Sequence, residues 1–231
     1  MDLLDSKEFW AAVIGAIVGG LIAALTQWFF SWSQRKQQER ALATSLLLKL
    51  GKLTATLMAT KQHVDDCFAE AGDVGRDTQP WQILTPIANL AAPISFTSDE
   101  LALLLAQAND RIFHLVLGLD DRHNDIMTLM RSFQEKRADI NRMIEPHQII
   151  ERVVGDRVDI RYPPQLMVKL SPYTIDLNSL IGHLQTDLPK DVRTAREATE
   201  RAQTLLKNRL HLKFRLQIND LPLRNDAAPA A

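Results

Sequence analysis

The stretch FWAAVIGAIVGGLIAALTQWFF, residues 9–30, decides the fold of this chain. No charged side chain occurs between Phe9 and Gln34, and no polar face interrupts the apolar run. A helix of about 20 apolar residues is long enough to cross the roughly 30 Å hydrocarbon core of a bilayer. The sequence therefore predicts a single transmembrane helix over residues 9–32, with the lipid bilayer as a partner.

Aromatic residues mark both ends of this apolar run. Phe9 and Trp10 begin it, and Trp28 and Trp32 end it. Trp10 and Trp28 are separated by about 27 Å along a helix, at 1.5 Å per residue. Tryptophan prefers the two membrane–water interfaces, so this spacing favours a spanning helix over the buried core helix of a soluble protein.

A cleaved signal peptide is the main alternative for the same stretch. Signal peptides have a basic segment before a shorter apolar core. Here Asp2, Asp5 and Glu8 outnumber Lys7 ahead of the apolar run. The acidic beginning and the long apolar core favour an uncleaved anchor.

The charged residues that flank the span predict its orientation. Arg35, Lys36 and Arg40 follow the span, whereas only Lys7 precedes it. Because cytoplasmic flanks are enriched in Lys and Arg, we expect residues 1–8 to form a short non-cytoplasmic tail. The rest of the chain then lies in the cytoplasm, and the protein is single-pass in the inner (plasma) membrane.

Small residues recur every four positions along the span. One file contains Ala11, Gly15, Gly19 and Ala23, and a neighbouring file contains Ala12, Ala16, Gly20 and Ala24. Residues four apart lie on one helical face, and small side chains let two helix backbones approach closely. The files predict a homodimer through the transmembrane helix. The alternative is a monomer, because Gly and Ala are common in membrane spans.

Beyond the span, apolar residues recur with helical spacing. The first stripe contains Leu42, Leu46, Leu50, Leu53, Leu57, Val64 and Phe68. A capping box at Thr97–Glu100 predicts the start of a second helix, in which Leu105, Ile112 and Leu115 are expected to be buried. That helix reaches about Ile144 if the chain does not bend near Gly118.

Two further helices are predicted in the C-terminal part of the chain. One begins near Pro164 and ends before Pro189, and the other has Pro189 in its first turn. Together the stripes indicate an all-α fold in which the transmembrane helix is followed by an antiparallel helical bundle of about four helices, residues 33–220. Coiled-coil-like packing of such stripes is expected.

Three segments do not follow the helical pattern. Val158, Ile160 and Tyr162 alternate with charged residues, which is typical of a short strand. Residues 210–218 fit both the two-residue period of a strand and the period of a helix. A helix is favoured because these residues continue a helical run. Residues 221–231 are rich in Ala, Asn and Pro, and we expect a disordered tail.

Composition excludes several functional classes. The net charge is −1, and beyond residue 8 the chain holds 26 basic against 25 acidic residues, so no nucleic-acid partner is expected. Cys67 is the only cysteine and cannot form an internal disulfide, as is typical of a reducing compartment. No nucleotide-binding, metalloprotease or hydrolase motif occurs, so no cofactor and no enzymatic activity are predicted.

Two clusters contain side chains that bind metals in other proteins. His63 and Cys67 are four residues apart on one helical face, but zinc needs three or four ligands and no second pair is present. Asp120, Asp121, His123 and Asp125 form an acidic cluster that could hold a divalent cation weakly. An ordinary helix flank with a half-buried thiol is the preferred explanation of the first cluster. A solvated helix surface or a polar break in the stripe explains the second cluster equally well.

Basic residues are concentrated in residues 190–215, which hold eight Lys or Arg against three Asp or Glu. Beside a membrane such a surface could contact anionic lipid. The candidates for that contact are Arg193, Arg196, Arg201, Lys207, Arg209 and Lys213. The alternative is a solvated helix face balanced by acidic neighbours.

These features favour a membrane-anchored helical interaction or scaffold protein that acts at the cytoplasmic face and binds an unknown protein partner. Confinement to a membrane raises the effective concentration of such a module for partners there. Two alternatives stay open. One is an envelope or lysis protein with its helical domain in the periplasm, and the other is a membrane-tethered enzyme.

Overall fold

The computed structural model describes residues 7–72, 78–106, 110–147, 149–154, 157–161 and 163–212, with side chains described except at residues 7–9, 12 and 149–161. Six helices are present in these ranges: α1 Lys7–Glu70, α2 Pro80–Ile83, α3 Ser98–Ala106, α4 Asp110–Val116, α5 Leu119–Ile144 and α6 Pro164–Leu210. A 3-10 turn at Glu145–His147 leads from α5 into two short strands, β1 Ile149–Val154 and β2 Arg157–Arg161. The fold is helical with one long apolar N-terminal helix, as predicted.

The first helix, α1, runs without a break for 64 residues. No proline occurs within it, so every turn can keep its backbone hydrogen bonds. Its second half contains the predicted stripe, of which Leu46, Leu50, Leu53, Leu57 and Val64 are buried and Leu42 and Phe68 are half-buried against the same core. The prediction of this stripe is confirmed.

The predicted second helix corresponds to α3, α4 and α5, and residues 107–109 between α3 and α4 lie outside the described residues. Its capping box is confirmed, because the Glu100 N–H donates to Thr97 Oγ1 at 3.3 Å and the Thr97 N–H donates to Glu100 Oε2 at 2.8 Å. Gly118, between α4 and α5, has a φ of +84°. That left-handed conformation suits glycine, so the bend occurs at the expected residue.

The expected burial of Leu105 is wrong. Its side chain is 47% exposed, whereas Ile112 is 5% exposed and Leu115 is half-buried. In α3 the core is instead formed by Leu103 and Leu104. Because residues 101 and 103–105 are all Leu, the sequence pattern does not determine which of them face the core.

The predicted boundary at Pro189 is also wrong, because α6 continues through both Pro172 and Pro189. The third and fourth predicted helices are therefore one helix of 47 residues. A proline inside a helix costs about 3 kcal/mol. The buried side chains Leu184 and Leu188 on one side and Ala195 on the other continue one core stripe. Burial of each leucine contributes about 1.5–3 kcal/mol, which offsets that cost.

The long helix α6 packs against α1 and α5 and runs opposite to both. Arg40 of α1 contacts Leu210, and farther along α1 Thr54 contacts Thr199. On α5, Arg122 pairs with Asp191, and farther along Lys136 pairs with Asp176. Residue numbers thus rise on one helix as they fall on the other. The buried core to which these helices contribute includes Phe133, Leu46, Leu50, Leu53, Met127 and Met130.

The two strands pair antiparallel, with Ile149 opposite Arg161 and Val154 opposite Arg157. The predicted strand near Val158 is confirmed, and its partner β1 was not predicted. At the other end of α6 the helix stops at Leu210, and His211 is left-handed with a φ of +50°. A helix continuing through residue 211 is therefore wrong, while 213–218 and the predicted tail, 221–231, lie outside the described residues.

Candidate membrane-facing surface

The N-terminal half of α1 is apolar, and its large side chains are exposed. An 18-residue window within it has a mean hydropathy of 1.9, and none of that window is buried. Large apolar side chains point outward on every side, including Ile14, Ile17, Leu21, Ile22, Leu25, Trp28, Phe29 and Phe30. The helix is long and apolar enough to cross a membrane, and its exposure is opposite to that of a core helix.

Two hydroxyl side chains of this segment bond to their own helix. Thr26 Oγ1 donates to the Ile22 carbonyl at 2.7 Å, and Ser31 Oγ donates to the Trp28 carbonyl at 2.9 Å. A hydroxyl bonded in this way needs no water. At the end of the segment, Lys36 Nζ lies 3.7 Å from the centre of the Trp32 ring. A cation over an aromatic ring suits the membrane–water boundary.

The predicted packing residues of the span lie on an open surface. Ala11 and Ala23 are exposed, and a Cβ added at Gly15 or Gly19 would meet no atom within 4 Å. Within one copy of the chain, therefore, nothing requires glycine at either position. The leucine stripe of α1 is different, because the core of the bundle already covers it.

A hydrogen bond between α1 and α6 sets the distance of the bundle from the apolar segment. Arg40 Nε donates to the Leu210 carbonyl at 3.2 Å, which satisfies one of the last carbonyls of α6. Arg40 lies eight residues beyond Trp32, or about 12 Å along the axis. The C-terminal end of α6 is therefore the part of that helix nearest the apolar segment.

The structure separates the six predicted lipid contacts into two groups. Lys207 and Arg209 are exposed in the last turn of α6, next to the Arg40 contact. Arg193, Arg196 and Arg201 flank Ala195 and Thr199, which meet Thr54. Thr54 is 22 residues beyond Trp32, or about 33 Å along the axis. Only the first group lies near the apolar segment, and Lys213 lies outside the described residues.

His63 and Cys67 come together without forming a metal site. Cys67 Sγ is 3.8 Å from His63 Nε2 and 3.2 Å from Thr85 Oγ1, and His63 Nε2 is 2.8 Å from the Thr85 carbonyl. Among the described residues, no three His, Cys, Asp or Glu side chains converge as metal ligands. The contacts with Thr85 attach the segment after α2 to α1.

The predicted acidic cluster of α5 is dispersed. Asp120 Oδ2 accepts a hydrogen bond from the Phe96 N–H at 3.2 Å, His123 is buried, and Asp121 and Asp125 are exposed. Asp125 lines a groove of about 610 Å³ between α5 and α6. Both acids and bases line that groove, including His183, Asp187, Lys190 and Asp191.

A second group of exposed apolar side chains lies on the first part of α6. Met167, Val168 and Ile175 are all exposed, Val168 to 76%, and helical spacing places the three within about 100° of one another around α6. The pair between Lys136 and Asp176 places this surface at the end of the bundle far from Arg40. These three residues are called the distal apolar patch.

The buried carboxylate of Glu100, 1% exposed, joins α3 to α1. Burial by itself raises its pKa, but hydrogen bonds from the Lys49 ammonium at 2.8 Å, the Ser45 hydroxyl at 2.6 Å and the Thr97 N–H at 2.8 Å favour the charged form. The pKa consequently lies below its ordinary value of 4.5. Sequence reasoning identified Glu100 only as a capping residue, because nothing in the pattern predicts its burial beside Lys49.

The buried imidazole of His123 resists protonation, as the Glu100 carboxylate does. Burial lowers its pKa below the ordinary 6.5, the hydrogen bond to Asn124 opposes this, and the charge of Lys52 lowers it further. Nδ1 donates to Asn124 Oδ1 at 3.0 Å, while Nε2 has no hydrogen-bond partner among the residues that the structure describes. The same Asn124 amide bonds both the N–H and the carbonyl of Ile94 and so holds the segment before α3.

These two groups predict a loss of stability in acid. Below about pH 6.5 the unfolded chain binds a proton at His123 that the folded chain resists, and below about pH 4.5 the same holds for Glu100. Thermal unfolding of the full chain in detergent should therefore give a melting temperature that falls across both ranges. Glu100→Gln should lower the free energy of unfolding by about 1.5–3 kcal/mol at neutral pH. It should also reduce the fall of the melting temperature below about pH 4.5. The exposed control Glu135→Gln should do neither; equal behaviour of the two variants would contradict the role of Glu100.

No protein-family model matches the chain, and no curated protein or solved structure matches it either.

Proposed function

We propose that this chain is a non-enzymatic, single-pass membrane protein that holds a helical interaction domain at the cytoplasmic face of the inner (plasma) membrane. The observation that supports this most directly is the continuity of α1. Its exposed apolar half and its buried leucine stripe belong to one helix. The antiparallel bundle is therefore attached to the membrane without an intervening flexible linker in α1.

The cytoplasmic orientation rests on the basic residues that follow the span. Arg35, Lys36 and Arg40 are all exposed at this end of the bundle. Fusions of alkaline phosphatase and of a fluorescent protein to the C-terminus test the orientation. We expect a fluorescent, phosphatase-inactive result. An active phosphatase would place the bundle in the periplasm and support an envelope or lysis protein.

The protein partner is proposed to bind the distal apolar patch. Exposed apolar side chains grouped at one site are typical of protein contact surfaces. A partner bound there would stand clear of the lipid, because the patch lies at the end of the bundle remote from Arg40. Cross-linking through Val168 in intact membranes is the experiment that identifies the partner.

We also propose that two copies pair through the span. The leucine stripe of α1 lies in the core of its own bundle and is not available for pairing. A different face of α1 remains open, because Ala41 and Ala59 are exposed and follow Ala23 at intervals of 18 residues. Eighteen residues are about five whole turns, so these alanines lie in line with the small-residue file of the span.

The variant Gly15→Ile with Gly19→Ile should weaken dimerisation strongly in a membrane two-hybrid reporter. Between helices in lipid there is no hydrophobic driving force, so pairing depends on close packing of small residues. A Cβ added at either position meets no atom within 4 Å in one copy, so we expect the variant chain to keep its fold. The matched control is Val13→Leu with Ile17→Leu, which should keep the wild-type signal. Equal signals from the two variants would contradict this interface, and a monomeric wild type would contradict pairing.

A further inference from the structure

The end of the bundle nearest the span is basic, and its charges come from both ends of the chain. We define the basic collar as Arg35, Lys36, Arg40, Lys207 and Arg209, all exposed. In α1 only Glu39 opposes these charges between residues 33 and 43, and on α4 the neighbours Asp110 and Arg111 offset each other. Arg111 lines the same groove as Asn208, which places α4 beside the last turns of α6.

We propose that the basic collar binds the anionic phospholipid headgroups of the leaflet from which α1 emerges; this inference rests on the proposed span. The headgroup layer extends about 5–7 Å beyond the hydrocarbon. With Trp32 at the boundary, the level of Arg40 and Leu210 is about 12 Å out, or about 5–7 Å beyond the headgroups. That gap is less than the Debye length of about 8 Å at physiological ionic strength.

The same reasoning from distance excludes the other basic residues of α6 from contact with the headgroups. Arg193, Arg196 and Arg201 lie near the level of Thr54, about 33 Å from Trp32. Their separation from the headgroups is several Debye lengths, so their attraction to the lipid is screened. The collar therefore fixes one end of the bundle against the membrane and leaves the distal apolar patch directed away from it.

The contact can be measured in the full-length protein in lipid nanodiscs. A fluorophore is attached to Asn208→Cys in a Cys67→Ser background, because Cys67 is the only natural cysteine and Asn208 is exposed beside the collar. The discs contain phosphatidylcholine alone or with phosphatidylglycerol, and a nitroxide on a fraction of the headgroups quenches the fluorophore at short range.

We expect stronger quenching in the anionic discs, and the difference should disappear when ionic strength rises from about 0.1 M to about 1 M, where the Debye length falls to about 3 Å. Each basic side chain near an anionic surface favours the contact by about five-fold. In the variant Lys207→Glu with Arg209→Glu, the ratio of molecules whose collar contacts the headgroups to molecules whose collar does not should therefore fall by more than about 25-fold. The control Lys169→Glu with Arg193→Glu makes the same charge change at exposed positions of α6 that are farther from the span. It should not change the quenching.

Equal quenching in neutral and anionic discs, or equal loss in the two charge-reversal variants, would overturn the collar while leaving the span intact. Failure of the wild type to enter either disc would instead overturn the span, and the collar with it.

Discussion

A chain that lacks residues 1–34 is expected in the soluble fraction after cell lysis, whereas the full chain sediments with membranes. The deletion removes the exposed apolar half of α1 and the aromatic residues at both of its ends. It leaves the core intact, because the buried residue of α1 nearest the N-terminus is Ala43. The expected effect is a nearly complete redistribution, since insertion of a spanning helix is effectively irreversible.

Fractionation by ultracentrifugation, before and after a high-salt wash, measures this redistribution. Deletion of residues 1–8 alone is the matched control and should leave the protein in the membrane. If the chain lacking residues 1–34 still sedimented after the wash, a single anchor would be wrong. If the truncated chain sedimented before the high-salt wash but not after it, charge attraction would be holding it on the membrane. The basic collar would provide that attraction.

The variant Ile112→Ala is expected to destabilise the full chain by about 2–5 kcal/mol, whereas Leu105→Ala should cost less than about 1 kcal/mol. Ile112 is 5% exposed and Leu105 is 47% exposed, although both belong to the same apolar pattern in the sequence. Truncation of a buried side chain loses its burial and leaves a cavity. Truncation of an exposed side chain removes little buried surface and leaves no cavity.

Thermal unfolding of both variants in detergent, followed by circular dichroism, checks this pair. For a chain of this size each kcal/mol lowers the melting temperature by about 2–4 °C. An unchanged melting temperature for Ile112→Ala would remove this residue from the core. A large effect of Leu105→Ala would place Leu105 there instead, as the sequence pattern suggested.

Much of the fold follows from patterns that a single segment contains. The apolar run from Phe9 predicts a spanning helix without any knowledge of tertiary contacts, because its length and its lack of charge are properties of that segment alone. The leucine stripe from Leu46 to Leu57 and the capping box at Thr97 are equally local, since helical spacing and a cap bond depend on neighbours within a few residues. These elements could be predicted, and the structure confirms the long apolar helix, the leucine stripe and the capping box.

The candidate site could be predicted less completely. The concentration of basic residues in α6 is visible in the sequence, but their distance from the span is not. That distance depends on the contact between Arg40 and Leu210, two residues separated by 170 positions. Lys207 and Arg209 were identified together with Arg193, and only the direction of α6 against α1 separates them.

The amino-acid sequence by itself determined the long apolar N-terminal helix, the helical character and the leucine stripe of α1. The tertiary structure decided which leucine of α3 faces the core, that Pro172 and Pro189 remain inside one helix, and that Glu100 is buried beside Lys49. The physical reason is that local patterns arise from interactions between residues close in the chain. Burial, tolerance of a proline and the position of a charge depend instead on the free energy of packing against distant segments.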